Sequence, residues 1–149
     1  MAYTARVFDA PAAVVFDVLI RPETYPQWLI CPEAIRSVDD DWPAVGSRFH
    51  HRVGVGPLTI PDDSEVVELR PGRVLALRVR ARPFVSAVAR FEVMAVGERR
   101  CVVTLEEEPT LRSIGALVRP VVDPVVHARN HRSLRRLANV VAARRRPPT

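Results

Sequence analysis

Phe8-Asp9-Ala10-Pro11, continued by Val14-Val15-Phe16-Asp17-Val18-Leu19 and closed by Tyr25-Pro26-Gln27-Trp28, is the stretch on which the reading of the fold turns. Tyr3 to Asp9 before it alternates modestly and suits a short first strand. Pro11 then stands where a first helical residue loses nothing by lacking an N–H, and Val15, Val18 and Leu19 recur behind it at helical spacing. A helix over 11–19 follows. Arg21-Pro22-Glu23 repeats the device, with Pro22 opening a second short turn, Pro26 closing it and Trp28 anchoring its end. Strand, small helix, smaller helix, aromatic anchor is the order this stretch predicts.

Outward from that stretch the texture becomes extended. Ala34 to Val38, Ser47 to Gly54, Leu58 to Leu69, Arg73 to Ala81, Phe84 to Val96 and Cys101 to Glu107 alternate or are β-branched. Trp42-Pro43, Gly54-Val55-Gly56-Pro57, Pro71-Gly72, Arg82-Pro83 and Gly97-Glu98 punctuate them as turns. Six more strands form an antiparallel meander. Consecutive aspartates suit a strand interior poorly, so Asp62-Asp63 marks an expected bulge in the third of them. Alternation puts Ala87, Ala89, Phe91 and Val93 on one face with Leu75, Leu77 and Val79, and leaves Ser86, Arg90, Glu92, Arg78 and Arg80 on the other.

A sheet with one apolar face needs a cover, and only the segment from Ile114 to Arg144 is long enough to supply it. Val126, Leu134, Leu137 and Val141 fall within about 80° of one another at helical pitch, and Arg129, Arg132, Arg135 and Arg136 lie largely outside that stripe. Pro120 and Pro124 predict an irregular lead-in over 112–124 with a continuous helix after it.

Composition sets the outer bounds. A chain of 149 residues, 48% hydrophobic and 26% charged, suits one soluble domain able to bury roughly 70% of its unfolded surface. The expected domain spans 1–146, with 147–149 a frayed tail. No apolar run approaches a bilayer span and no secretory leader opens the chain, so the expected location is cytoplasmic, without stable membrane insertion. Cys31 and Cys101 are isolated and read as buried fillers, with no zinc spacing and no disulfide framework. All 22 basic residues are arginine. Residues 1–111 carry about −3 and residues 112–149 about +8, since 13 Arg face 16 Asp and Glu in the first part and nine Arg face Asp123 in the second. Such a segment can attract acidic partners, nucleic acid or anionic lipid, but a solvated helix face above an acidic sheet is the favoured account of it. Aromatic residues are not interleaved with the arginines and no helix-turn-helix precedes them, so nucleic acid is not an expected partner.

The order of elements, together with Asp9-Ala10-Pro11 before Val15-Phe16, Tyr25-Pro26-Gln27-Trp28, Pro71-Gly72-Arg73-Val74-Leu75 and Asn130-His131-Arg132-Ser133-Leu134-Arg135-Arg136-Leu137, resembles the START-like, Bet v 1-like (SRPBCC) superfamily. Within it the chain is similar to the bacterial polyketide cyclase/dehydrase-like group over nearly its whole length. The resemblance implies an α+β helix-grip fold: a curved, antiparallel, seven-stranded sheet with two short N-terminal helices and a long C-terminal helix. It also implies a cavity between sheet and helix, mostly apolar with a few placed polar groups. Members include lipid and sterol carriers, hormone receptors and aromatase/cyclases, so fold alone does not choose among them.

Polar residues in the inward register are the candidate chemistry, because burial of an unpaired polar group is costly. Phe49, His51 and Val53 share one register, so His51 faces the cavity and His50 faces away; adjacent strand residues cannot share one metal, and no metal or other cofactor is expected. His51 suits an acid, base or hydrogen-bond donor near neutral pH, or a histidine satisfied at the sheet edge. Glu65 with Val67 and Leu69, and Glu107 with Val103 and Leu105, read as inward carboxylates raised in pKa by desolvation or paired with arginine. On the last helix Asn130 and Ser133 interrupt the apolar stripe, with His127 at its edge. The expected cavity set is Trp28, Phe49, His51, Leu77, Phe91, Val103, Asn130, Ser133, Leu134 and Leu137, and the candidate catalytic groups are His51, Glu65 and Glu107. The expected partner is a hydrophobic small molecule, lipid, polyketide-like or aromatic, held by a monomer or weak homodimer. Two rival readings are a polyketide cyclase/dehydratase using the same cavity and an interaction module working through the basic helix.

Overall fold

The computed structural model describes residues 2–29, 34–55, 57–81, 85–109 and 115–145. Strand β1 (Ala2–Phe8) leads into helix α1 (Ala12–Leu19), a single 3-10 turn (Pro22–Thr24) and helix α2 (Tyr25–Trp28). Strands β2 (Ala34–Val38), β3 (Arg48–Val55), β4 (Leu58–Arg70), β5 (Val74–Ala81), β6 (Val85–Gly97) and β7 (Arg100–Pro109) then precede helix α3 (Gly115–Arg145). The seven strands form one antiparallel sheet in the order β1-β7-β6-β5-β4-β3-β2. The sequence-derived meander is therefore present, with β1 closing it beside the last strand. Gly72 at the Pro71-Gly72 turn has φ +78, a conformation that a side chain would strain.

Phe8 to Trp28 is held by its own polar atoms as well as by packing. Trp28 Nε1 donates to Thr24 Oγ1 at 3.0 Å, the Thr24 hydroxyl donates to Arg21 O at 2.8 Å, and Tyr25 OH donates to Leu19 O at 2.5 Å. Each buried aromatic thus has a partner for its polar tip. Burial pushes the Tyr25 phenol well above its usual range, with nearby Glu23 adding to the effect. The rings interlock edge to face: Tyr25 meets Trp28 at 5.4 Å and Phe49 at 5.1 Å, and Trp28 meets Phe91 at 5.7 Å. Through these contacts the small helices grip the centre of the sheet.

Three local expectations are corrected. Pro26 does not end the second turn; it lies in the first turn of α2, where a missing N–H costs nothing. Pro120 and Pro124 do not break the lead-in to the last helix, for α3 is continuous from Gly115. Each proline removes one donor, and both sit in the first ten residues of a 31-residue helix whose remainder keeps its register. The bulge is not at Asp62-Asp63, which pair regularly with His51 and His50. It lies one turn of the pleat further on, between Val66 and Glu68 against β5, leaving Val67 as the extra residue.

That displacement decides the faces of β4. Val66, Ser64 and Asp62 point into the core and are buried, while Glu65 and Asp63 point outward. Val79, Leu77 and Leu75 oppose Ser64, Val66 and Leu69 across the bulge. The core is closed by α3, where Leu134, Leu137 and Val141 are buried and Val126 is half-buried. Cys101 is buried and its thiol pKa is pushed up by that burial; Cys31, Arg82-Pro83, Gly56 and the 147–149 tail lie outside the described residues, as does the Val53 side chain.

Candidate ligand cavity

A cavity of about 60 Å³ lies between the sheet and α3. Its apolar wall is Leu29, Phe49, Leu77, Val79, Ala89, Phe91 and Leu105, and its polar wall is Ser64, Glu107, Arg129, Asn130 and Ser133. Pockets for drug-sized ligands run to about 300–1,000 Å³, and an apolar cavity of about 150 Å³ is known to take benzene. A cavity of about 60 Å³ therefore holds only a very small guest.

The sheet contributes one polar pair. His51 on β3 is 1% exposed and its Nε2 lies 3.0 Å from Ser64 Oγ on β4, whose hydroxyl lines the cavity. Burial holds the His51 imidazole below its ordinary pKa, opposed by the charges of Asp62 and Asp63 and by the nearby backbone carbonyl of Asp63, and assisted by the charge of Arg36. The ring is therefore neutral at neutral pH, carrying one N–H and one lone pair. Its Nδ1 has no hydrogen-bond partner among the described residues. Asp62, His51's cross-strand neighbour, is buried on the same face. His50 points the other way, where its Nε2 meets Asp39 Oδ1 at 3.2 Å. That contact, with the Arg48 backbone N–H, holds the Asp39 carboxyl below its usual range. Among the described residues no three of His, Cys, Asp and Glu gather as a metal site.

The facing wall is built where β7 meets α3. Alternation along β7 buries Cys101, Val103, Leu105 and Glu107 in turn, so a carboxylate ends an apolar row. Arg129 of α3 donates to Glu107 Oε2 in a close ion pair and to Asn130 Oδ1 at 3.3 Å. Asn130 is 3% exposed, and with its carbonyl occupied its amide Nδ2 is left without a partner among the described residues. A buried donor in that state costs about 1–3 kcal/mol unless something accepts its proton.

Of the residues expected from sequence, Phe49, Leu77, Phe91, Asn130 and Ser133 line the cavity, and Glu107 joins them. His51 reaches it through Ser64. Trp28, Val103, Leu134 and Leu137 are buried in the core cluster behind the wall, where Trp28 packs on Phe91. Glu65 is corrected outright: it lies on the outer face, 3.4 Å from Arg78, 3.7 Å from Arg48 and 3.9 Å from Arg80. Counting back from Leu69 in steps of two crosses the Val67 bulge and inverts the register. Ser64 and Arg129 escape sequence reasoning for related reasons. The adjacent pair Val66-Val67 in an otherwise alternating strand is the sequence signal that could have found Ser64; Arg129 is one arginine among several, and only Glu107's position singles it out.

Solved structures share this architecture along nearly the whole chain. The Zhui aromatase/cyclase from Streptomyces sp. R1128 is 19% identical, with a TM-score of 0.72 over 97% of this chain and 94% of that one. Norcoclaurine synthase from Thalictrum flavum is 13% identical, with a TM-score of 0.68 over 97% and 87%. A protein from Thermus thermophilus is 18% identical, with a TM-score of 0.67 over 97% and 99%. At such identities the likeness bears on fold alone. No curated protein matches the sequence significantly. The sequence of residues 2–142 does match one family as a whole, and the grip of α3 on a curved seven-stranded sheet agrees with it: the chain belongs to the polyketide cyclase/dehydrase and lipid transport family.

Proposed function

We propose that this protein binds a small, largely apolar molecule carrying a hydrogen-bond-accepting oxygen, held between the sheet and α3. The observation that carries this reading is the unpartnered amide of Asn130 in an otherwise apolar cavity wall. A carbonyl, ester or hydroxyl oxygen accepts that proton and removes the cost of the orphaned donor. Apolar burial of the rest of the ligand supplies affinity at roughly 25 cal/mol per Å². Because the closed cavity measures only about 60 Å³, a lipid or aromatic ligand enters as α3 separates from the sheet and the Glu107–Arg129 pair opens. Family membership supports the same reading, since its description spans cyclases, dehydrases and lipid transport.

A second reading makes the cavity an active site for cyclisation or dehydration of a poly-ketone. It is favoured by the bond between neutral His51 and the cavity hydroxyl of Ser64, a pair able to pass a proton to or from a bound carbonyl compound. Glu107, tied to Arg129, has an orienting role in this scheme. One experiment separates the two. Freshly purified protein is weighed under native and denaturing conditions, and the retained molecule is identified. A carrier keeps its ligand in His51→Gln and turns over no ketide substrate; an enzyme keeps the ligand in that variant but loses turnover that the parent shows. Absence of any small-molecule adduct in the parent, with no ketide turnover, contradicts both.

A further inference from the structure

The arginines of this molecule fall into two populations. On the outer face of the sheet they are neutralised: Arg48, Arg78 and Arg80 surround Asp63 and Glu65 at 3.2–3.9 Å, and Arg90, between Glu68 and Glu92, reaches them at 3.3 and 3.0 Å. On α3 the arrangement is different. From Pro124 to Arg144 the helix carries five arginines and no carboxylate. Arg129 is taken by Glu107, whereas Arg132, Arg135, Arg136 and Arg144 are exposed and make no ion pair with any described residue.

At 100° per residue Arg132, Arg135 and Arg136 span an arc of about 100°, on the opposite side of α3 from the buried Asn130, Ser133, Leu134, Leu137 and Val141. They form the centre of its solvent face. The residues around them are His131, Ala128, Asn139, Ala142 and Ala143, all exposed and none of them large and apolar. A bilayer-docking helix needs Trp, Phe or Leu to bury among lipids, and single-stranded nucleic acid needs aromatic platforms. Among the described side chains of this face, those from Pro124 to Arg144, neither is present; the one large exposed apolar residue there, Val125, lies two turns away from Arg132. What the face does offer is planar guanidinium forks at i, i+3 and i+4, flanked by small side chains that permit close approach. Guanidinium pairs best with carboxylates in a two-bond fork, and on the outer sheet face of this chain Arg90 is held by two carboxylates, Glu68 and Glu92.

We propose that the solvent face of α3 docks a partner protein through a carboxylate-bearing helix whose acidic residues recur at i, i+3, i+4 and i+7. The contact is small and electrostatic, hence fast, salt-sensitive and transient. It is independent of the cavity reading, because none of Arg132, Arg135 or Arg136 lines the cavity.

The test uses the full chain and a fluorescent, alanine-rich helical peptide of about eighteen residues with glutamates at that spacing, read by anisotropy at low and at about 150 mM salt. A second peptide has the same composition with the glutamates scattered round the helix. The expected result is saturable binding of the first peptide, at least about tenfold weaker binding of the second, and loss of about tenfold or more in the triple variant Arg132→Glu, Arg135→Glu, Arg136→Glu. A charge-matched control, Arg70→Glu, Arg73→Glu and Arg99→Glu, changes exposed arginines off α3 and is expected to bind like the parent. Circular dichroism melts confirm that both variants fold, and the milder triple glutamine variant is expected to lose binding in the same direction. Equal binding of the two peptides, equal loss in the control, or tighter retention on phosphatidylserine vesicles or duplex DNA than on the peptide overturns the proposal.

Discussion

The two faces of this sheet are made by the same strands and differ in what they ask of their polar residues. On the outer face polar groups neutralise one another in water: Glu65 touches three arginines and remains partly exposed. On the inner face Glu107 has a specific partner in Arg129, His51 has one in Ser64 while its Nδ1 is left over among the described residues, and Asn130 has its amide nitrogen left over. Exposed ion pairs of the first kind contribute little individually. Buried groups of the second kind are expensive when unpaired, and the proposed function places a ligand oxygen at the leftover amide of Asn130. One extra residue, Val67, inverts the parity between Leu69 and the carboxylates Asp63 and Glu65.

Exchanging two neighbours between the faces breaks the contrast most severely. The double variant Ser64→Glu, Glu65→Ser puts a carboxylate on the inner face beside His51 and takes one away from the three arginines outside. Urea denaturation should show a loss of more than about 3 kcal/mol. A double variant as stable as the parent would mean that position 64 does not face the core, whereas deletion of Val67 alone removes the bulge and is expected to leave Ser64 inward and Glu65 outward.

A smaller effect follows from His51. Its folded pKa lies below the ordinary value of 6.5 because it is buried. As pH falls through about 6.5 the unfolded chain takes up the proton first, so the folded state loses stability on the acid side until His51 itself protonates. Chemical denaturation between about pH 5 and pH 7 should show this slope in the parent and a shallower one in His51→Gln. A slope unchanged by the substitution would place the titration elsewhere. Least of all should the outer face respond. Glu65→Gln leaves three partly exposed arginines in water and should shift stability by no more than about 1 kcal/mol, less at high salt.

Much of the fold could be read from period and punctuation. Pro22 and Gly72 stand where their backbone preferences place them, Pro11 caps α1 from one residue outside it and is not its first helical residue, and the apolar alternation of β5, β6 and β7 assigns the inner face of each. The site was legible where alternation runs unbroken: Phe49, His51, Leu77, Phe91 and Glu107 point inward as expected. It was illegible beyond the bulge, where parity inverts between Leu69 and Val66, and there Glu65 was exchanged for Ser64. Cavity size is also beyond reach of a one-dimensional pattern. Alternation says which side chains face the helix, whereas the remaining 60 Å³ depends on how closely α3 approaches them.

Under the proposed function the unpartnered amide of Asn130 holds a ligand oxygen. Native mass spectrometry of protein purified in parallel as parent, Asn130→Leu and Glu65→Gln tests it most directly. The account predicts a small-molecule adduct on the parent that dissociates on denaturation, its persistence in Glu65→Gln, and its loss or reduction by about tenfold in a folded Asn130→Leu, the range expected when one buried hydrogen bond to a ligand is removed. An adduct retained equally by Asn130→Leu would contradict it.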